Sequence, residues 1–170
     1  MAVSITVRPA IDADVPAIQR VARETWHATY AGHIPTSEIE AFLAGAYGEE
    51  NLRGAISRPT VDLFVAVSGG TIVGYATAGL NREGMGELFA IYVLPMWQGH
   101  GAGWRLWRAA TKTLYTRGLT EMHLWVLTAN DTARRFYERQ GAVAGETREW
   151  PVGGGAIHET AYRLLLAASC

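Results

Sequence analysis

Gln98, Gly101 and Gly103 stand in the run Gln98-Gly-His-Gly-Ala-Gly-Trp104, just after the apolar stretch Glu87 to Leu94 and just before a helical pattern. Glycines let a backbone approach a ligand closely, and the first-turn N–H groups of a helix carry about half a positive charge. Together they attract a pyrophosphate. Two other phosphate-binding patterns compete with this reading. A P-loop ends in Gly-Lys-Ser/Thr, but the sole lysine of the chain is Lys112, inside the following helix, so that pattern fails. A dinucleotide fingerprint would start at Gly99 and Gly101, but its third glycine position is Trp104. Its acid at the expected distance, Glu121, precedes a strand instead of ending one, so nicotinamide binding is the weaker alternative.

A second pattern lies farther along, Asn130-x-x-Ala133-x-x-Phe136-Tyr137-x-x-x-Gly141, at another strand-to-helix junction. With Gln98-x-x-Gly101-x-Gly103, it resembles the two signatures of the GCN5-related N-acetyltransferase (GNAT) superfamily. The segments Arg8-Pro9-Ala10, Trp26-x-x-x-Tyr30 and Ile34-Pro35 are similar to many bacterial members, so the resemblance covers nearly the whole chain. It implies an α/β (α+β) fold, with a mixed, mostly antiparallel seven-stranded sheet and about four helices, splayed between the fourth and fifth strands. It also implies acetyl-CoA as co-substrate, its pantetheine lying along Ile91, Tyr92 and Val93 as an added strand would. The pyrophosphate would sit beyond Gln98 on the amides of Gly99, His100, Gly101, Ala102, Gly103 and Trp104. Asn130 would cap its helix and touch the CoA arm, and Arg134 or Arg135 would meet the 3'-phosphate unless solvated like most helix-surface arginines.

Acetyl transfer to an amine needs a neutral nucleophile, a polarised thioester carbonyl and a proton for the departing thiolate. An alkylamine with a pKa near 10.4 is about one part in a thousand neutral at pH 7, so a general base helps. The resemblance places Glu87 as that base, directly or through water, with His123 and His158 as alternatives. It places Tyr137 as the donor to the thiolate, and strand amides at a bulge around Tyr92 and Val93 as donors to the carbonyl oxygen. The amine would enter beside Trp26, His27, Tyr30 and His33. Trp26 and Tyr30 share a helix face at i, i+4, which is equally the pattern of core packing. The resemblance thus implies direct acetyl transfer to a primary amine of a small molecule or peptide in a ternary complex. A non-catalytic acyl-CoA-binding or sensing module is the alternative, although such a module has no need of Glu87 and Tyr137 together.

Positioning these groups falls to a chain of 170 residues, read as a single domain over 1–170 that buries roughly 70% of its unfolded surface. With 49% apolar residues and a formal net charge of −1, it offers no broad attraction to nucleic acid or anionic membrane. A lone cysteine, Cys170, excludes an internal disulfide or multi-cysteine metal site and suits the cytoplasm. No run is long and apolar enough to span a bilayer, and the segment from Met1 to Arg8 lacks a signal-peptide pattern. The pattern predicts a strand at Ser4 to Arg8, a helix capped by Asp12, and a helical stretch over 37–57 that breaks near Gly48. A hairpin of Val61 to Val67 with Thr71 to Leu80 follows, then a strand from Glu87 to Leu94 whose continuous apolar character predicts burial on both faces. A helix over Gly101 to Arg117, a strand at Met122 to Leu127, a helix capped by Asn130 and two strands around Gly153-Gly154-Gly155 complete the order. The apolar tail Leu164 to Ala168 would complete the core or extend a sheet shared in a homodimer.

Overall fold

The computed structural model describes residues 4–150 and 157–168. In chain order these form β1 (Ile5–Pro9), α1 (Val15–Tyr30), α2 (Thr36–Ala46), α3 (Glu49–Ser57), β2 (Val61–Ser68), β3 (Thr71–Leu80) and β4 (Gly86–Val93). There follow α4 (Ala102–Thr116), β5 (Glu121–Leu127), α5 (Asp131–Arg139), β6 (Val143–Glu149) and β7 (His158–Leu165). The turn expected at Gly153 to Gly155 lies outside the described residues.

The strands make one sheet of order β1-β2-β3-β4-β5-β7-β6. All neighbours are antiparallel except β4 and β5, which are parallel and are joined by the crossover through α4. The β2–β3 hairpin closes on Gly69 and Gly70, whose φ values of 55° and 79° give the two positive-φ positions of a type I′ turn. On one face α4 buries Leu106, Ala110 and Leu114 against Leu88, Met122 and Leu124. Complete burial of each such leucine stabilises the fold by about 2 kcal/mol. On the other face α1, α2 and α3 bury Ile18, Val21, Trp26, Ile39 and Leu52 against Val65 and Tyr75.

Five helices stand among the described residues instead of about four, because the stretch over 37–57 is two helices. Gly48 separates them with extended backbone, and a Cβ there would lie 2.9 Å from the Ala44 carbonyl oxygen, so the tight junction excludes a side chain. The start of α1 also differs from expectation. Asp12 opens a 3-10 turn, and it is Asp14 that stands at the N-cap of α1. Its carboxylate accepts from the Ile11 N–H at 2.9 Å and from both terminal nitrogens of Arg8 at 2.6 and 2.9 Å. The Arg8 guanidinium, helped by that backbone bond, holds the Asp14 carboxyl below the usual range despite its burial.

The apolar strand β4 is not buried on both faces. Only Glu87↔His123 and Leu88↔Leu124 pair it with β5, and beyond Leu88 the two strands part. The register with β3 slips between Thr77 and Ala78, leaving Phe89 as an extra residue on β4. This bulge, expected at Tyr92 and Val93, bends and twists the strand where the separation begins. It also shifts the alternation: Leu88 packs on the α4 side, whereas Ala90, Tyr92 and Leu94 pack toward α1–α3. Phe89 is left 44% exposed, and the residues after it are only half-buried because they border a cleft.

Candidate active site

The parting of β4 and β5 opens into a cleft of about 740 Å³ that runs through the sheet. Gly101, Gly103, Phe136 and Tyr137 line it from the α4–α5 face, and Thr25, Thr29, Tyr30 and His33 line it from the α1 face. Two bound molecules can therefore approach one point from opposite sides.

The Gly-rich turn sits at the mouth on the α4 side. Gly99 and Gly101 have φ of 76° and 87°, conformations that a β-carbon disfavours, and Gly101 occupies the N-cap of α4. The first i→i−4 bond of the helix runs from the Arg105 N–H to the Gly101 carbonyl at 3.1 Å. The N–H groups of Ala102, Gly103 and Trp104 precede it and point out of the helix end. Gln98 lines the same mouth, its side-chain amide donating to the Val93 carbonyl at 3.1 Å. Trp104, 44% exposed, borders the cleft, while Arg108 stacks 4.8 Å from its ring centre. His100 turns outward, its Nδ1 2.9 Å from the Gln98 carbonyl, and Ala102 is buried in the core beneath the turn. Ile91, Tyr92 and Val93 border the cleft along the freed edge of β4.

Asn130 faces the same cleft and caps α5, its Oδ1 accepting from the Ala133 N–H at 3.1 Å. Tyr137 is 7% exposed among Trp107, Phe136 and Tyr162, with ring centres 5.6 to 6.1 Å away. Burial raises the pKa of its hydroxyl well above the ordinary phenol value, so the group remains a donor at neutral pH. Arg134 is held away from the cleft: it donates to the Tyr162 hydroxyl at 3.1 Å and the Thr128 carbonyl at 3.2 Å. The arginine that lines the cleft is Arg139.

Glu87 lies at the closed end of the gap, just outside the lining, and accepts from the Asn81 amide at 3.1 Å. His123 stands beside it on β5, and its Nε2 is 3.0 Å from the Glu121 carboxylate. Glu121 also accepts from Arg163 at 3.2 Å, and the His123 and Arg163 bonds hold its carboxyl below the usual range. As the first residue of β5 it stands inside the strand, not before it, and still at the wrong end for a ribose. His158 is exposed at the start of β7.

Tyr30 reaches the cleft, and its hydroxyl lies 2.8 Å from that of Tyr92. Burial pushes Tyr30 up to about 12, although the bond to Tyr92 lowers it. Trp26 is 3% exposed and belongs to the core instead, stacked on Phe42 at 4.3 Å and tilted against Tyr30 at 4.6 Å. Its indole N–H and the Tyr75 hydroxyl are buried beside the Tyr47 side chain. His27 pairs with Glu40 at 2.5 Å, away from the cleft. His33 is exposed at its rim.

A family model described as Acetyltransferase (GNAT) family matches residues 19–142. The chain belongs to that family. It is 28% identical over 148 residues to the spermidine N(1)-acetyltransferase of Thermoplasma acidophilum, covering 85% of this chain and 91% of the relative. It is 33% identical over 131 residues to the uncharacterized N-acetyltransferase YuaI of Bacillus subtilis, covering 74% and 73% of the two. The solved PaiA N-acetyltransferase of T. acidophilum, in complex with coenzyme A, matches with a TM-score of 0.83 at 25% identity, over 95% of this chain and 99% of that one. As a GNAT protein the chain is an acetyl-CoA-dependent N-acetyltransferase. Among the described residues no helix is long and apolar enough to cross a membrane.

Several lining residues of this GNAT cleft carried no motif. Thr25 and Thr29 lie one turn apart on α1, and Trp125 alternates with the buried Leu124 and Val126 on β5. Alternation on β5 is the signal that finds Trp125. Phe89 required the bulge.

Proposed function

We propose that the protein moves the acetyl group of acetyl-CoA directly onto a primary amine held in the same cleft. The observation that carries this reading is the single cleft through the sheet, open to the Gly101–Trp104 amides on one face and to α1 on the other. In this reading those amides bind the pyrophosphate, and the pantetheine lies along Ile91 to Val93 where β5 no longer takes the β4 edge. N–H groups of β4 past the bulge polarise the thioester carbonyl. Much of the acceleration comes from holding amine and thioester together, which alone supplies several kcal/mol.

Tyr137 donates a hydrogen bond to the departing thiolate. A free thiol titrates near 8.5, well below the raised pKa of this tyrosine, so the hydroxyl stabilises the thiolate while solvent completes the proton transfer. Glu87 takes the ammonium proton through an intervening water, because its carboxylate stands just beyond the cleft wall, and the proton that the nitrogen sheds after attack passes to solvent, which protonates the thiolate. A relative named for spermidine acetylation supports a small-molecule amine as acceptor. The cytoplasm suits a chain whose one cysteine is Cys170.

Initial-rate kinetics with both substrates varied test direct transfer. Intersecting double-reciprocal lines are expected. Parallel lines, the pattern of a covalent acetyl-enzyme, would contradict it.

A further inference from the structure

Resting on the acetyl-transfer reading, we infer that the acceptor is a monoamine, a primary amine on an uncharged apolar or aromatic body, and not a polyamine. The acceptor side of the cleft is bordered by Thr29, Tyr30, His33, Phe89, Tyr92 and Trp125. None of these six is acidic, and among the described lining residues the carboxylate is that of Asp131, at the start of α5 on the opposite face. A carboxylate close to it, that of Glu159, whose charge bears on Tyr30, is already matched by Arg148 at 2.6 Å.

Glu87 differs, because its partner Asn81 is neutral. One carboxylate with a neutral partner is what a single ammonium needs before it loses its proton. A second or third ammonium on the same molecule would enter an aromatic wall with no counter-charge, at a desolvation cost that its attraction to ring faces only partly offsets. The Arg148 guanidinium, paired with Glu159, lies 3.5 Å from the Trp125 ring centre, so that ring face already holds a cation. An aryl or alkyl body instead finds the exposed ring of Phe89 and the rings of Tyr92 and Trp125. The inference separates this chain from its 28%-identical relative named for spermidine.

The test begins with calorimetry of acetyl-CoA binding, followed by kcat/KM at saturating acetyl-CoA for 2-phenylethylamine, hexylamine, putrescine and spermidine. Phenylethylamine or hexylamine is expected to exceed both polyamines by about tenfold or more. Thr29→Glu places a carboxylate on the same wall and is expected to raise kcat/KM for putrescine while lowering it for phenylethylamine. If the wild type prefers a polyamine, the inference is overturned. If acetyl-CoA binds but none of the four amines is acetylated, the inference is overturned while the donor site stands. If acetyl-CoA itself fails to bind, the underlying reading falls and takes the inference with it.

Discussion

Gly103 is the position where a substitution separates cofactor binding from folding. The nearest atoms to a Cβ built there are in the Phe136 ring at 3.8 and 3.9 Å and a Val93 methyl at 3.9 Å, all ordinary contacts. Gly103→Ala therefore fits, and in a helix it is expected to stabilise the fold by up to about 1 kcal/mol. Gly103→Leu must send its longer side chain from that point toward the cleft that Gly103 lines. There it would lift a pyrophosphate from the amides of the first turn. A hydrogen bond to a charged group contributes about 1.5–3 kcal/mol. Losing two of them predicts a fall in CoA affinity of roughly 10²- to 10⁴-fold. Calorimetric titration with CoA measures the affinity, and thermal unfolding without ligand shows that the variant is folded. A folded Gly103→Leu protein whose Kd for CoA equals that of the wild type would refute the placement of the pyrophosphate.

Tyr137→Phe should lower kcat by about 10²-fold with CoA affinity unchanged, and an unaltered single-turnover rate would remove the hydroxyl from the chemistry. Because burial raises the pKa of Tyr137, the wild-type kcat should show no loss assignable to this residue as pH rises toward 10. Glu87→Gln should reduce kcat/KM by about 10² at pH 7, and addition of a small carboxylate such as formate should restore part of it; full activity in the variant would rule Glu87 out as base. The carboxyl of Asp14 has a depressed pKa, so its stabilisation is present above about pH 4 and is lost as pH falls through its folded value. Asp14→Asn should thus cost about 1–3 kcal/mol by urea unfolding at pH 7 and much less near pH 2; an equal cost at both would show that the Arg8 pair is not its source. Gly79→Ala drives a Cβ into the Thr60 carbonyl oxygen, so the strand must shift and Tm should drop measurably.

The order of strands and helices was legible because each rests on local periodicity. The alternating hairpin around Gly69-Gly70, the one-sided apolar stripe of α4 and the Asn130 cap each have a local cause, and each forms where the pattern predicts. Glycines needing positive φ, Gly101 and Gly141 among them, marked helix ends in the same local way. What escaped depends on contacts distant in sequence. The run Glu87 to Leu94 reads as fully buried because apolar residues that border a ligand cleft look the same as those that pack in a core. Its bulge at Phe89 is set by the register with β3, which no residue of β4 announces. Trp26 and Tyr30 share a helix face, but only Tyr30 reaches the cleft, since Trp26 lies under Phe42. Arg134 and Arg139 are indistinguishable as helix-surface arginines until Tyr162, far along the chain, engages the first.

A crystal structure of the protein with coenzyme A would test the central claim most directly. The account predicts diphosphate oxygens within about 2.7–3.2 Å of backbone N–H groups between Gly101 and Trp104, with the pantetheine arm between β4 and β5 and its sulfur close to the Tyr137 hydroxyl. Coenzyme A seated on any other surface, with the gap beyond Leu88 empty, would contradict it.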